Sequence, residues 1–251
     1  MQGELGDFEL ESNKMEAVFS GAYCVLATSR ATNQRDGFLD PRFQRPYVTI
    51  KRGNDERFYI YQTIDNFSKH VIEVSLNQRG WVLQERALAH RTIYFTPTQM
   101  YFECGEGVRC ETLGKLHSNM AGFLGDPNFR HKAMRANRAQ RTAYFKGLYK
   151  QYSRMSFTRY SDHPFAIAGL EKRLQRAFIV KGGFGILDDG DTQDGSFFHQ
   201  SLLWQCGEER YDGEYLVGIE FPNDGRAQVP SWSWMAYQGG IDYLHLSPCT
   251  R

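Results

Sequence analysis

Apolar positions along the chain fall into short runs with either helical or alternating spacing. Leu10, Met15, Val18 and Phe19 recur at helical intervals, which predicts a helix over residues 9–22 with acids near its start. Tyr23 to Thr28 (YCVLAT) is a compact apolar run and predicts a buried strand. Residues 30–46 are polar, broken by Gly37, Pro41 and Pro46, and predict a loop. Two β-like runs at 47–51 and 57–61 flank Gly53-Asn54-Asp55, a hairpin signal. Residues 79–90 (RGWVLQERALAH) predict a short helix with Val82, Leu83, Ala87 and Leu88 inward, followed by strands at 91–95 and 99–104.

The second half has a different texture. Residues 129–155 predict one or two helices with Tyr144, Leu148, Tyr149 and Tyr152 on one face. Residues 161–178 predict the strongest helix, capped by Ser161 or Asp162, with Pro164 in its first turn. Residues 182–195 are rich in Gly and Asp and predict a flexible connection, with residues 196–206 helical after it. From Val229 onward short strands and turns are expected, and Trp232 and Trp234 would share one face of a strand. Two parts of one globular unit are expected, a partial α/β core over 1–111 and an extension over 112–251, helical and ending in short strands.

Composition narrows the functions. A net charge of +1 over 251 residues argues against a nucleic-acid binder. Charge is nonetheless uneven: Arg130, Lys132, Arg135, Arg138, Arg141, Lys146, Lys150, Arg154 and Arg159 form a stretch without an acid. The five cysteines have loose spacing, and Cys104 and Cys110 are too far apart for a zinc or redox pair, so free thiols in a reducing compartment are expected. The polar N-terminus lacks a secretory pattern and no apolar run is long enough to span a bilayer, so a cytoplasmic protein is expected. The histidines lack metal-ligand spacing, and no nucleotide or nucleophile motif is present, so neither metal nor cofactor is expected. Lys181-Gly182-Gly183-Phe184-Gly185 is only a weak phosphate signal, and Asp188, Asp189, Asp191 and Asp194 lack the closing Glu of a calcium loop.

Four blocks, in order, resemble the fungal heterokaryon-incompatibility (HET) family. They are Lys14 to Ala27; Arg79 to Arg86, similar to the family's Arg-x-Trp-Thr-Leu-Gln-Glu with Val82 for Thr; Tyr152 to Arg173; and Ser201-Leu202-Leu203-Trp204 with Pro230 to Trp234. The family's usual opening motifs, Leu-Ser-Tyr-x-Trp-Gly and Trp-Ile-Asp, are not found. The resemblance therefore implies an α/β (α+β variant) fold: a truncated TIR-like, flavodoxin-like HET core with a helical and short-strand C-terminal extension. Ligands of open parallel sheets bind beyond the carboxyl ends of the strands, so a loss of opening strands would remove much of any nucleotide site.

The candidate site residues come from two motifs. Arg79, Gln84 and Glu85 are candidate catalytic groups, and Trp81, Tyr101, Trp232 and Trp234 candidate substrate walls around one apolar cavity. The alternative is that Gln84 and Glu85 cap backbone groups while the indoles fill the core. Three functions remain open. One is a scaffold recruited to fold an apolar polyene or terpenoid for cyclisation, such as a cycloaddition, without a cofactor. Another, implied by the resemblance, is a cell-death signalling protein of TIR-like NAD-hydrolase ancestry. The last is a non-catalytic binding module.

Overall fold

The computed structural model describes residues 14–31, 33, 35–39, 46–53, 56–61, 64–112, 114–116, 129–192, 196–207, 216–222 and 229–244. The fold is α/β with one parallel strand pair. Residues 14–21 are helical (α1); the expected start of this helix at residue 9 lies outside the described residues. Strand β1 (Val25–Ala27) runs parallel to β4 (Arg91–Phe95), which continues antiparallel through β5 (Met100–Cys104), β6 (Gly107–Cys110) and β7 (Lys115–Leu116). Between β1 and β4 the chain makes the hairpin β2 (Tyr47–Arg52) and β3 (Glu56–Tyr61), two short helical turns and α2 (Gly80–Leu88). Strands β2 to β5 and α2 are thus present at nearly their predicted bounds, but the strand expected to be buried over 23–28 is only Val25–Ala27, with Leu26 and neighbouring Tyr23 exposed, because β1 is paired on one side only and lies at the edge of the described sheet.

Alternation assigns one sheet face to the interior. Tyr94, Tyr101, Val108 and Cys110 are buried there, with Phe67 and Val71 over them. The same face carries Glu103, buried because Arg86 of α2 binds it through Nε at 2.8 Å and Nη2 at 2.7 Å, and the Tyr94 hydroxyl donates to it at 2.6 Å. The guanidinium also lies over the Phe67 ring, 5.5 Å from its centroid. Removing either charge from such a pair leaves the other desolvated and alone.

The larger core lies beyond α2. Leu83, Ala87 and Leu88 pack with Phe145, Leu148, Tyr149 and Tyr152 of α4 (Arg138–Ser153) and with Leu170 and Leu174 of α5 (Ala168–Phe178). Helix α3 (Phe129–Arg135) contributes Ala133. Asn137 and Gln140 form a reciprocal cap at the start of α4, both bonds at 2.9 Å. The basic stretch is largely spent on internal contacts. Arg138 pairs with Asp189 and Asp191, Arg141 donates to the Ala136 and Met134 carbonyls, and Lys150 and Arg154 both hold Asp242.

Several expectations for the second half need correction. Helix α5 begins at Ala168, not near Ser161. The His163 carbonyl accepts the Tyr152 hydroxyl, and its ring stacks on Tyr152 at 4.9 Å, so residues 160–162 form a 3-10 turn instead. The supposed flexible connection contains a hairpin, β8 (Lys181–Gly183) and β9 (Ile186–Asp188). Phe184 and Gly185 supply its two-residue turn with φ of 54° and 78°, the geometry that matches strand twist. Finally, Trp232 lies in a turn and Trp234 opens a 3-10 helix, so the two indoles do not share a strand face. The Pro230 carbonyl accepts the Ser233 N–H, and Ser233 Oγ bonds the Phe184 carbonyl and the Met235 N–H; both favour a turn over extended chain.

After the hairpin the helix expected over 196–206 is shorter: α6 spans Phe197–Leu202, and Trp204–Cys206 form strand β10 because they pair with a distant strand. The latter pairs antiparallel with β13 (Ile241–Tyr243), while β11 (Val217–Gly218) pairs with β12 (Tyr237–Gln238). Cys24, Cys104, Cys110 and Cys206 are free thiols. No described helix is long and apolar enough to cross a membrane.

Candidate ligand cleft

The motif RGWVLQER divides its residues among distinct tasks. Gly80 permits close approach: a Cβ there would lie 1.9 Å from the Phe157 ring. Its N–H donates to the Ser156 carbonyl at 3.0 Å, and Ser156 N–H donates back to the Gln78 carbonyl at 2.8 Å. This clamp fixes residues 156–158 against the start of α2. Gln84 is fully buried, and its Oε1 accepts the Leu170 N–H at 3.1 Å, satisfying an otherwise open donor in the first turn of α5. A side chain at Gly169 would meet that same oxygen at 3.0 Å. Gln84 thus acts as a cap within the core.

Arg79 is exposed at the front of α2, and its guanidinium has no hydrogen-bonded or ion-paired partner among the described residues. It lines a cleft of about 680 Å³. One wall is the segment immediately after β1, with Thr28 and Ala31; the other is Ser156, Phe157 and Thr158. The cleft therefore sits beyond the carboxyl end of a parallel strand, where open α/β sheets bind ligands. Its volume is that of a small-molecule site. The Ser156–Thr158 wall was invisible in the sequence, because its position depends on the clamp to Gly80.

The remaining candidates lie elsewhere. Trp234 is wholly buried in the larger core, its indole against Gly185, and Trp81 sits at the margin of that core. Trp232 is 53% exposed. None of the three cavities described, two large and one of about 230 Å³, is lined by a tryptophan. Glu85 is half-buried; burial pushes its carboxyl up to about 7, against the opposing pull of Arg79. Of the seven candidates, Arg79 is the one that lines one of these cavities.

Tyr101 belongs to a separate polar cluster on the sheet. Its hydroxyl lies 2.7 Å from His70 Nδ1 and accepts from the Gln99 amide at 2.9 Å, while Gln99 also donates to Asp65 Oδ1 at 2.9 Å. Burial lowers the His70 pKa and raises that of Tyr101. Thr112 extends the chain of bonds to Asp65 Oδ2 at 2.7 Å and lies 2.9 Å from Cys110 Sγ. Among the described residues no group of three or more His, Cys, Asp or Glu has metal-binding geometry.

The fold and cleft define the class: an α/β module with a ligand-sized cleft at the carboxyl end of its parallel pair. Residues 1–85 match the family model described as Heterokaryon incompatibility protein (HET), a match consistent with a partial HET domain. The match stops within α2, before the later blocks that resemble the family. No curated protein and no solved structure matches the chain.

Proposed function

We propose that this chain is a binding module of the HET signalling type, taking a small molecule in the cleft between β1 and residues 156–158. The observation that carries the reading is the placement of Arg79, which makes no side-chain hydrogen bond among the described residues, at a 680 Å³ cleft beyond the end of β1. The cyclisation reading relies on an apolar cavity where Trp81 meets Trp232 and Trp234. With Trp234 in the core and Trp232 on the surface, it lacks the geometry that would support it.

The test is a ligand-observed NMR screen of small acidic, basic and neutral fragments against the wild type and Ala31→Trp. The indole would fill the cleft from a wall that Ala31 lines. Binders that lose their signal with Ala31→Trp support the reading. A set of binders unaffected by the substitution, or an absence of binders at millimolar concentration, refutes it.

A further inference from the structure

The chemistry of the cleft walls specifies more than a volume. Thr28, Ser75 and Thr158 line it, and their hydroxyls have no hydrogen-bond partner among the described residues. Ser156 also lines it, with its hydroxyl donating to the Gln78 carbonyl at 3.0 Å. Among the described residues that line the cleft, Arg79 adds the only charge and none is a carboxylate. Glu85, the acid that feels the Arg79 charge, lies outside the lining and makes no hydrogen bond to it. At the turn after β1, the Ser29 hydroxyl is buried and has no hydrogen-bond partner among the described residues. Phe157 presents a half-buried ring, held in place by Tyr152 at 5.6 Å, Tyr160 at 5.7 Å and His163 at 5.1 Å.

A planar guanidinium with several hydroxyl donors and no competing acid is complementary to an oxyanion, which accepts two parallel bonds from arginine. A fixed aromatic ring beside it suits a flat apolar body. Resting on the cleft reading above, we infer that the ligand is a small oxyanion joined to an aromatic ring: the phosphate or carboxylate sits on Arg79 and the ring lies against Phe157. Thr28, Ser75 and Thr158 donate to the remaining anion oxygens. Arg79 is the specificity-determining residue, because it supplies the only charge among the described lining residues.

The experiment is calorimetric titration of phenyl phosphate, benzoate, inorganic phosphate and phenol into the wild-type protein, Arg79→Gln, Arg79→Lys, Arg35→Gln and Ala31→Trp. Arg35 is an exposed cation two residues beyond cleft-lining Asn33 and outside the lining. Phenyl phosphate or benzoate should bind more tightly than phenol and inorganic phosphate. Whichever of the two binds more tightly identifies the oxyanion. Arg79→Gln should weaken that ligand by about tenfold or more, Arg79→Lys by an intermediate factor, and Arg35→Gln by less than about twofold. Thermal melting of Arg79→Gln should match the wild type, since the side chain is exposed. Equal losses in Arg79→Gln and Arg35→Gln would reduce the effect to general charge and overturn the inference, as would ligands that fail to bind at millimolar concentration. Phenol binding that is abolished by Ala31→Trp and indifferent to Arg79 would overturn the oxyanion while leaving the cleft reading intact. Binding that survives Ala31→Trp would overturn both.

Discussion

Glu171→Gln should change how the stability of the protein depends on pH. The carboxyl is buried and accepts the Tyr149 hydroxyl at 3.0 Å and the Gly185 N–H at 2.7 Å. Burial outweighs these donors and that of the Phe184 backbone, and lifts its pKa from 4.5 to about 7. The folded state therefore holds this proton more tightly than the unfolded chain. Its contribution is complete below about pH 4.5, declines by roughly 1.4 kcal/mol per unit above that, and is lost by about pH 7. The loss across that window is about 3 kcal/mol. Gln cannot titrate, so urea denaturation from pH 4.5 to 8 should show the variant gaining about 3 kcal/mol relative to the wild type. Glu85 shifts in the same direction, but it is present in both chains and cancels in the difference. A difference that stays flat across this range would refute the reasoning, whatever its absolute size.

Other substitutions test other contacts. His163 is buried and neutral, with its pKa lowered to about 4, so its contribution is full above pH 6.5 and is lost as the pH falls toward 4. His163→Phe should remove about 3 kcal/mol of acid sensitivity from denaturation curves over that window. Arg86→Met should cost about 3–5 kcal/mol by isolating Glu103, and adding Glu103→Leu should recover most of it in the same assay. Gly80→Ala should lower stability by about 1–3 kcal/mol through the clash with Phe157, with partial rescue by Phe157→Leu. Trp234→Ala should cost about 3–5 kcal/mol and Trp232→Ala about 1 kcal/mol or less, since one ring is enclosed and the other is half exposed.

The legible parts of the sequence were those governed by local rules. Strands β2, β3, β4 and β5 and helix α2 follow from alternation and helical spacing over a few residues, and all five occur where the pattern puts them. The start of α5 was misplaced because Tyr152 takes the His163 carbonyl from eleven residues away, a competition no local pattern displays. The hairpin at Phe184-Gly185 was missed because a bulky residue at positive φ is a poor turn signal; the bonds from its backbone to Glu171 and Ser233 help to hold it. At the cleft, Arg79 was visible as part of a motif, but Ser156 to Thr158 reach it only through the clamp at Gly80. Gln84 looked chemical for the same reason that it is structural: a buried amide is needed where a helix N-terminus arrives from a distant part of the chain.

The bond between Gln84 and the Leu170 N–H has a consequence for inheritance. The amide that makes it also limits position 169, 85 residues from Gln84, so a change at 84 or 169 is registered at the other. A larger residue at 169 collides with the amide, and a smaller one at 84 leaves the helix start unanswered. Recombination between related genes that separates these positions would therefore assemble mismatched halves unless both parents carried the pair. Such chimaeras should accumulate poorly in cells even when each segment comes from a stable protein, and compensating changes should arise at these two codons together.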